Sequence, residues 1–249
     1  MILLGIDTST PSTAVALRLA DGSATQQRDD PPAGAHPGHA TRLLRMAADV
    51  LAGAGVGWSA IDRVAVGVGP GTFTGLRVGI ATARGLAQSL SAELVGVSST
   101  QALAAQALAA QPAPEAVLAV IDARRGEAFV AAYQAGDGGV PQELSPPRPL
   151  APEELAHVAA EAEPGAGAAP RSWLAVGDGA VRFRAQLEAG GIDVAPDASP
   201  LHLLSALAIC ELGTRVAPTA IQEILPDYRR RPDAELALEG EGAGAGKGL

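Results

Sequence analysis

The chain has 249 residues and a formal charge of −9; it is 47% hydrophobic but only 3% aromatic, with 30 glycines and 19 prolines. That length allows one large domain or two small ones, with cores that must be aliphatic and finely divided. A protein that grips nucleic acid alone presents a basic surface, and beyond the run Arg229 to Arg231 none is visible, so an RNA role would have to borrow cations from a partner.

Cys210 is the single cysteine and sits in an apolar helical pattern, so it reads as a small buried hydrophobe and excludes a disulfide within the chain. The start has no basic segment, and its apolar run is broken by Gly5 and Asp7, which predicts no signal peptide. No window approaches the roughly 18 to 20 apolar residues of a membrane span. A soluble, cytoplasmic chain with no membrane partner is expected.

In chain order, residues 2–7, 13–19 and 23–27 read as strands joined by short turns, an antiparallel meander. A proline-glycine loop over 34–38 precedes helical spacing over 39–52, with Leu43, Met46, Ala47, Val50 and Leu51 on one wide face. A β-branched strand over 64–68 leads through a glycine-threonine loop into a helix over 74–90. A strand over 93–97 and a helix capped around Ser98 to Thr100 follow. This order, βββαβαβα, predicts a mixed sheet with helices on its faces, the ribonuclease H-like arrangement. Gln111 to Pro114 reads as the domain boundary. From there the order partly repeats, with strands over 116–122 and 127–134 about the turn Arg124 to Gly126. A helix over 152–160, a strand over 173–176 and helices over 180–189 and 201–216 complete it. Residues 161–170 and 239–249 are low in complexity. The expected division is a first lobe over 1–111, with the helix over 199–217 free to pack back on it, and a second lobe over 112–198. A C-terminal segment over 218–238 and a disordered tail over 239–249 follow.

The helix over 74–90 carries Gly75, Gly79 and Gly85, each costing a helix interior roughly 1 kcal/mol relative to alanine. Close approach of another backbone is the usual compensation. At 100° per residue, Gly75, Gly79, Thr82 and Leu86 form one stripe, and Leu76, Ile80, Ala83 and Ala87 the stripe beside it. Only Arg77, Ala81, Arg84 and Gln88 make a polar sector. A surface helix normally buries one face. This one reads as buried on two, with its own sheet able to supply one, so a partner is expected for the other.

Gly69, Gly71, Thr72, Thr74 and Gly75 invite a phosphate-loop reading. Leu76 and Arg77 follow where a Walker loop needs lysine and Ser or Thr, and the dinucleotide glycine spacing also fails. The segment is therefore assigned as a structural loop, with Thr72 or Thr74 as helix N-cap. Asp7, Thr8 and Ser9 resemble the first phosphate motif of the actin-like ATPases. Ser9 stands where that motif has glycine, and its Cβ obstructs close backbone approach, so the site reads as vestigial. His36, His39, His157 and His202 have no metal-ligand spacing, and no Gly-x-Ser-x-Gly elbow occurs. No catalytic or metal residue is assigned.

Several segments together resemble one family, the TsaB (YeaZ) proteins of bacterial tRNA threonylcarbamoyladenosine biosynthesis. They are Leu4 to Thr10, His39 with Leu43 and Leu44, Gly69 to Gly79, Val95 to Ser99, Ile121 to Glu127, Val176 to Ala180 and Pro226 to Arg229. The resemblance implies an α/β, actin-like (ASKHA) fold of two lobes, each a mixed β-sheet flanked by helices. It implies a non-catalytic subunit that pairs with its paralogue TsaD, which forms the threonylcarbamoyl group on adenosine 37 of tRNAs reading ANN codons, with TsaE as a further component. Pairing would use the helices over 39–52 and 74–90, with Leu43, Met46, Val50, Leu76, Arg77, Gly79, Ile80 and Ala83 forming or bordering the contact. No cofactor of its own is implied; a nucleotide at the partner interface is left open. The same helices allow a homodimer when the partner is absent, and tRNA is met only within the complex. The rival readings are a free-standing actin-like phosphotransferase on a small metabolite, with ATP turnover depending on Asp7, and a metal-dependent peptidase.

Overall fold

Alternating side chains along the first strands enter two different cores. On β1 (Leu3–Asp7) and β2 (Thr13–Arg18), Leu3, Ala14 and Ala16 join one cluster, while Leu4, Ile6, Val15 and Leu17 join another. A sheet buried on both faces needs a layer on each side. The computed structural model, which describes residues 1–32, 34–163 and 171–229, supplies them. The tail expected over 239–249 and most of the low-complexity stretch 161–170 lie outside the described residues.

The first sheet adds β3 (Ala24–Asp29), β4 (Arg63–Gly69) and β5 (Glu93–Ser98) in the order β3-β2-β1-β4-β5, with β1 antiparallel to β2 and parallel to β4. Its outer face is covered by α1 (His39–Gly53) and α2 (Phe73–Leu90). The second sheet comprises β6 (Ala116–Arg124), β7 (Glu127–Gln134), β8 (Gln142–Leu150), β9 (Trp173–Val176) and β10 (Asp193–Val194). Its order, β10-β9-β6-β7-β8, repeats the topology of the first: an antiparallel meander beside two parallel strands. Its outer face carries α4 (His157–Glu161), α5 (Asp178–Arg182) and α6 (Arg184–Ala189).

Between the sheets lie α3 (Ser99–Leu108) and α7 (Ala206–Gly213), which touch each other. The exchange is crosswise. α3 follows the first sheet yet packs chiefly on β6, while α7 follows the second and packs on β1 and β2. One continuous apolar core therefore joins the lobes. Its closeness depends on small residues: a Cβ on Gly5 would lie 2.5 Å from the Cys210 Sγ and 2.7 Å from the Ala206 carbonyl. Cys210 is fully buried, and burial pushes its thiol well above the usual range, the signature of an inert cysteine.

One strand is unexpected and three expected helices differ. β8 was not anticipated, because Pro146, Pro147 and Pro149 lack ladder donors; it forms at a sheet edge, where missing donors are tolerated. The helix over 152–160 is instead a 3-10 turn, Pro152–Glu154, followed by α4. The helix over 180–189 breaks at Phe183 into α5 and α6, and that over 201–216 is a 3-10 turn, Pro200–His202, before α7 begins at Ala206. No helix among the described residues is long and apolar enough to cross a membrane.

Candidate functional site

Where β1 ends, Asp7 turns back on its own chain: its Oδ1 accepts hydrogen bonds from the Ser9 amide and the Ser9 hydroxyl, both at 2.9 Å. Its Oδ2 is buried and makes no hydrogen bond, beneath a space that only glycine at position 67 leaves free; a Cβ there would lie 1.8 Å from it. Burial pushes Asp7 up to about 6, against the opposing influence of the two Ser9 bonds and the Arg28 charge. The Ser99 hydroxyl also lowers it, lying close by without a hydrogen bond of ordinary geometry. Asp7, Thr8 and Ser9 are all closed to solvent.

The glycine loop is what closes them. The Thr72 amide donates to the Ser9 carbonyl at 2.7 Å, and the Thr8 hydroxyl donates to the Gly75 carbonyl at 2.7 Å. A Cβ on Gly71 would lie 2.3 Å from the Ser9 carbonyl oxygen, one on Gly75 2.0 Å from that of Thr8, and one on Gly79 2.3 Å from the Thr8 Oγ1. Gly69 holds φ +110°, a conformation that favours glycine. Thr72 occupies the N-cap position of α2, but its side chain makes no capping bond, and Thr74 lies exposed in the first turn. The loop thus lies flat on the Asp7 turn and directs an amide at a protein carbonyl rather than at an anion.

This geometry corrects the residue assignment for a partner surface. Leu43, Met46, Val50, Leu76, Gly79, Ile80 and Ala83 are all buried within the chain. Most of them pack against the first sheet. The glycine stripe at 75 and 79 is explained by the chain's own Thr8. Arg77 is exposed, yet it is held by a residue of the same chain, described below. The face α1 and α2 turn outward is a different one: Leu44 (52% exposed), Thr74, Ala81 and Gly85, flanked by the half-buried Val78, Thr82 and Leu86. A Cβ on Gly85 would meet nothing within 4 Å.

The sequence did not reveal the strap that residues 218–229 form along α2. The Arg84 guanidinium donates to the Gln222 and Ile224 carbonyls at 3.0 and 2.6 Å, and the Asp227 amide donates to the Val68 carbonyl at 2.7 Å. The Arg77 Nε donates to the Tyr228 hydroxyl at 2.8 Å, and Tyr228 stacks on Phe73 with centroids 5.2 Å apart. The signal was present in Arg77 and Arg84, one seven-residue step apart on the polar sector, whose partners no local pattern names.

In the second lobe, Asp122 near the end of β6 occupies the place of Asp7 in the repeated topology. Its carboxylate accepts from Arg182 at 2.8 and 2.9 Å and from the Arg124 amide at 2.8 Å. Asp178 accepts from the Asp122 amide at 3.0 Å and is pushed up to about 6, chiefly by burial, with Asp122 adding repulsion. His39 bonds Thr13 at 2.8 Å, and both ring nitrogens of His202 face carbonyls at 3.0 Å, packing roles for both. Among the described residues no three His, Cys, Asp or Glu side chains converge as a metal site.

A family model described as TsaD, tRNA N6-adenosine threonylcarbamoyltransferase, matches residues 30–162. The tRNA threonylcarbamoyladenosine biosynthesis protein TsaB of Escherichia coli K12 is 39% identical over 140 residues, 56% of this chain and 58% of that protein. The protein of the same description from Haemophilus influenzae is 39% identical over 129 residues, 52% of each chain. The chain thus matches little more than half the length of these curated relatives. Against the solved structure of YeaZ from Pseudomonas aeruginosa the match extends over 91% of this chain and 99% of that one, with 30% identity and a TM-score of 0.73. The fold is of the actin-like, ribonuclease H-like class, with two five-stranded sheets flanked by helices. On the family model and the YeaZ structure together, the chain belongs to the TsaB/YeaZ family.

Proposed function

We propose that this chain is a non-catalytic subunit in formation of the threonylcarbamoyl group on adenosine 37 of tRNAs reading ANN codons, docking TsaD through the outward face of α1 and α2. The supporting names are those of its relatives, described as tRNA threonylcarbamoyladenosine biosynthesis proteins. The observation that carries the reading is a contrast within one lobe. The turn at Asp7, where an actin-like enzyme would hold phosphate, is covered by the chain's own glycine loop, while the neighbouring helices turn Leu44, Ala81 and an uncovered Gly85 outward. Small residues on an exposed helix let a second helix approach closely.

In this reading the chain holds no cofactor of its own, a nucleotide belongs to the partner interface if anywhere, and TsaE and tRNA join the assembled complex in the cytoplasm. The same face admits a homodimer in the absence of TsaD. The test is co-elution of the purified chain with TsaD. Leu44→Glu and Ala81→Glu should each abolish it while the circular dichroism spectrum stays unchanged. Wild-type association by both variants, or ATP turnover by the isolated chain that disappears in Asp7→Ala, would overturn the reading.

A further inference from the structure

Where the strap meets the start of α2, the chain departs from its own composition. Three per cent of its residues are aromatic, yet Phe73 and Tyr228 stand together at the surface, 40% and 42% exposed. The Arg77 guanidinium carbon lies 3.7 Å from the Phe73 centroid and 5.9 Å from that of Tyr228, while the two rings are 5.2 Å apart at 28°. A separation of 5.9 Å is too short for Phe73 to lie between the other two. The three groups therefore form one compact cluster. Leu225, three residues before Tyr228 on the strap, is 63% exposed.

The charge at this place is also atypical of a chain with formal charge −9. Arg77 is held by a phenol and Arg84 by two carbonyls, neutral partners that leave both charges uncompensated by those contacts. Arg229 pairs with Asp227 at 2.7 Å, and in the sequence Arg230 and Arg231 follow directly, outside the described residues. Paired aromatic faces bordered by arginines are the combination that holds unpaired nucleobases: the rings stack on the base and the guanidinium groups meet the phosphates.

We infer that Phe73, Arg77, Tyr228 and Arg229 form a contact for single-stranded RNA, which, on the tRNA reading above, is an unpaired stretch of the tRNA substrate. The contact contributes one local patch of cations and rings to an assembly whose remaining charge comes from its partner.

The test uses the 249-residue chain, alone and mixed with TsaD, and an unmodified tRNA transcript as probe. Ultraviolet cross-linking followed by peptide mass spectrometry should place the cross-link on Phe73 or Tyr228. Phe73→Leu keeps apolar bulk but removes the ring face, and should weaken tRNA binding about 5- to 150-fold, the range for loss of one stacked base. Phe73→Tyr should retain binding, and Arg229→Gln should reduce the salt dependence by about one ion. Wild-type tRNA affinity in Phe73→Leu overturns the inference. Loss of TsaD association with unchanged tRNA binding also overturns it, assigning the rings to a protein contact. If chain and TsaD do not associate at all, the function proposed above fails and this inference falls with it, whereas normal TsaD association with wild-type tRNA affinity in Phe73→Leu leaves that function standing and overturns this inference alone.

Discussion

Gly79 and Gly85 lie on one helix six residues apart and should respond to a side chain in opposite ways. Gly85 is exposed, and a Cβ there meets nothing within 4 Å. Gly85→Leu removes a poor helix former at no steric cost, a gain of roughly 0.8–1 kcal/mol. For a chain of this size that raises Tm by about 2–4 °C. The same leucine stands on the proposed docking face, where an extra side chain between two closely packed helices costs about 1–3 kcal/mol, or a loss of TsaD affinity of about 5- to 150-fold. Gly79→Ala puts a methyl 2.3 Å from the Thr8 Oγ1, which is committed to the Gly75 carbonyl at 2.7 Å and cannot move without giving up that bond. The lost bond and the strain outweigh the gain in helix propensity, a net loss of about 1–3 kcal/mol. Differential scanning fluorimetry and titration calorimetry with TsaD measure both quantities on the same samples. A more stable Gly85→Leu protein that binds TsaD with wild-type affinity would refute the placement of the interface. A Gly79→Ala protein as stable as wild type would refute the packing reasoning for the loop.

Three further outcomes are expected. Asp7 binds its proton more tightly in the folded than in the unfolded chain, so its ionisation destabilises the fold above about pH 6, and the cost is relieved as pH falls from there toward 4. Denaturant melts should show a gain on the order of 1 kcal/mol between about pH 7.5 and 5 from this group, with Asp178 acting in the same direction, and Asp7→Asn should remove its share. Tyr228→Ala should free the strap: trypsin should cut after Arg229 several-fold faster while the melting temperature falls only slightly, since the bonds of Arg84 to residues 222 and 224 remain. Ser9→Gly restores the glycine of the actin-like motif yet should not create ATP binding by calorimetry, because the Thr72 amide still takes the Ser9 carbonyl and the loop still covers the turn.

Much of the fold was legible because local periodicity encodes it. The meander of β1 to β3, the strand-loop-helix unit of β4 and α2, and the hairpin of β6 and β7 follow from period-two runs and turn residues, which need no distant partner. β8 was hidden because its prolines contradict strand propensity, and only its place at a sheet edge makes them acceptable. The spacing of the glycine loop matches no phosphate motif, but its packing against Thr8 and Ser9 joins segments more than sixty residues apart, which no local pattern records.

Helical spacing separated an apolar from a polar side of α1 and α2 and required a reason for the glycines at 75, 79 and 85. It left undecided which neighbour each face meets, since an apolar stripe looks the same against a home sheet and against a partner. Tertiary packing decided that: the large side chains went to the sheet, Thr8 took the space at 75 and 79, the strap took Arg77 and Arg84, and Gly85 was left uncovered. The crosswise exchange of α3 and α7 belongs to the same class. Each helix buries its apolar surface against residues distant in the chain, so no local window of sequence records the choice.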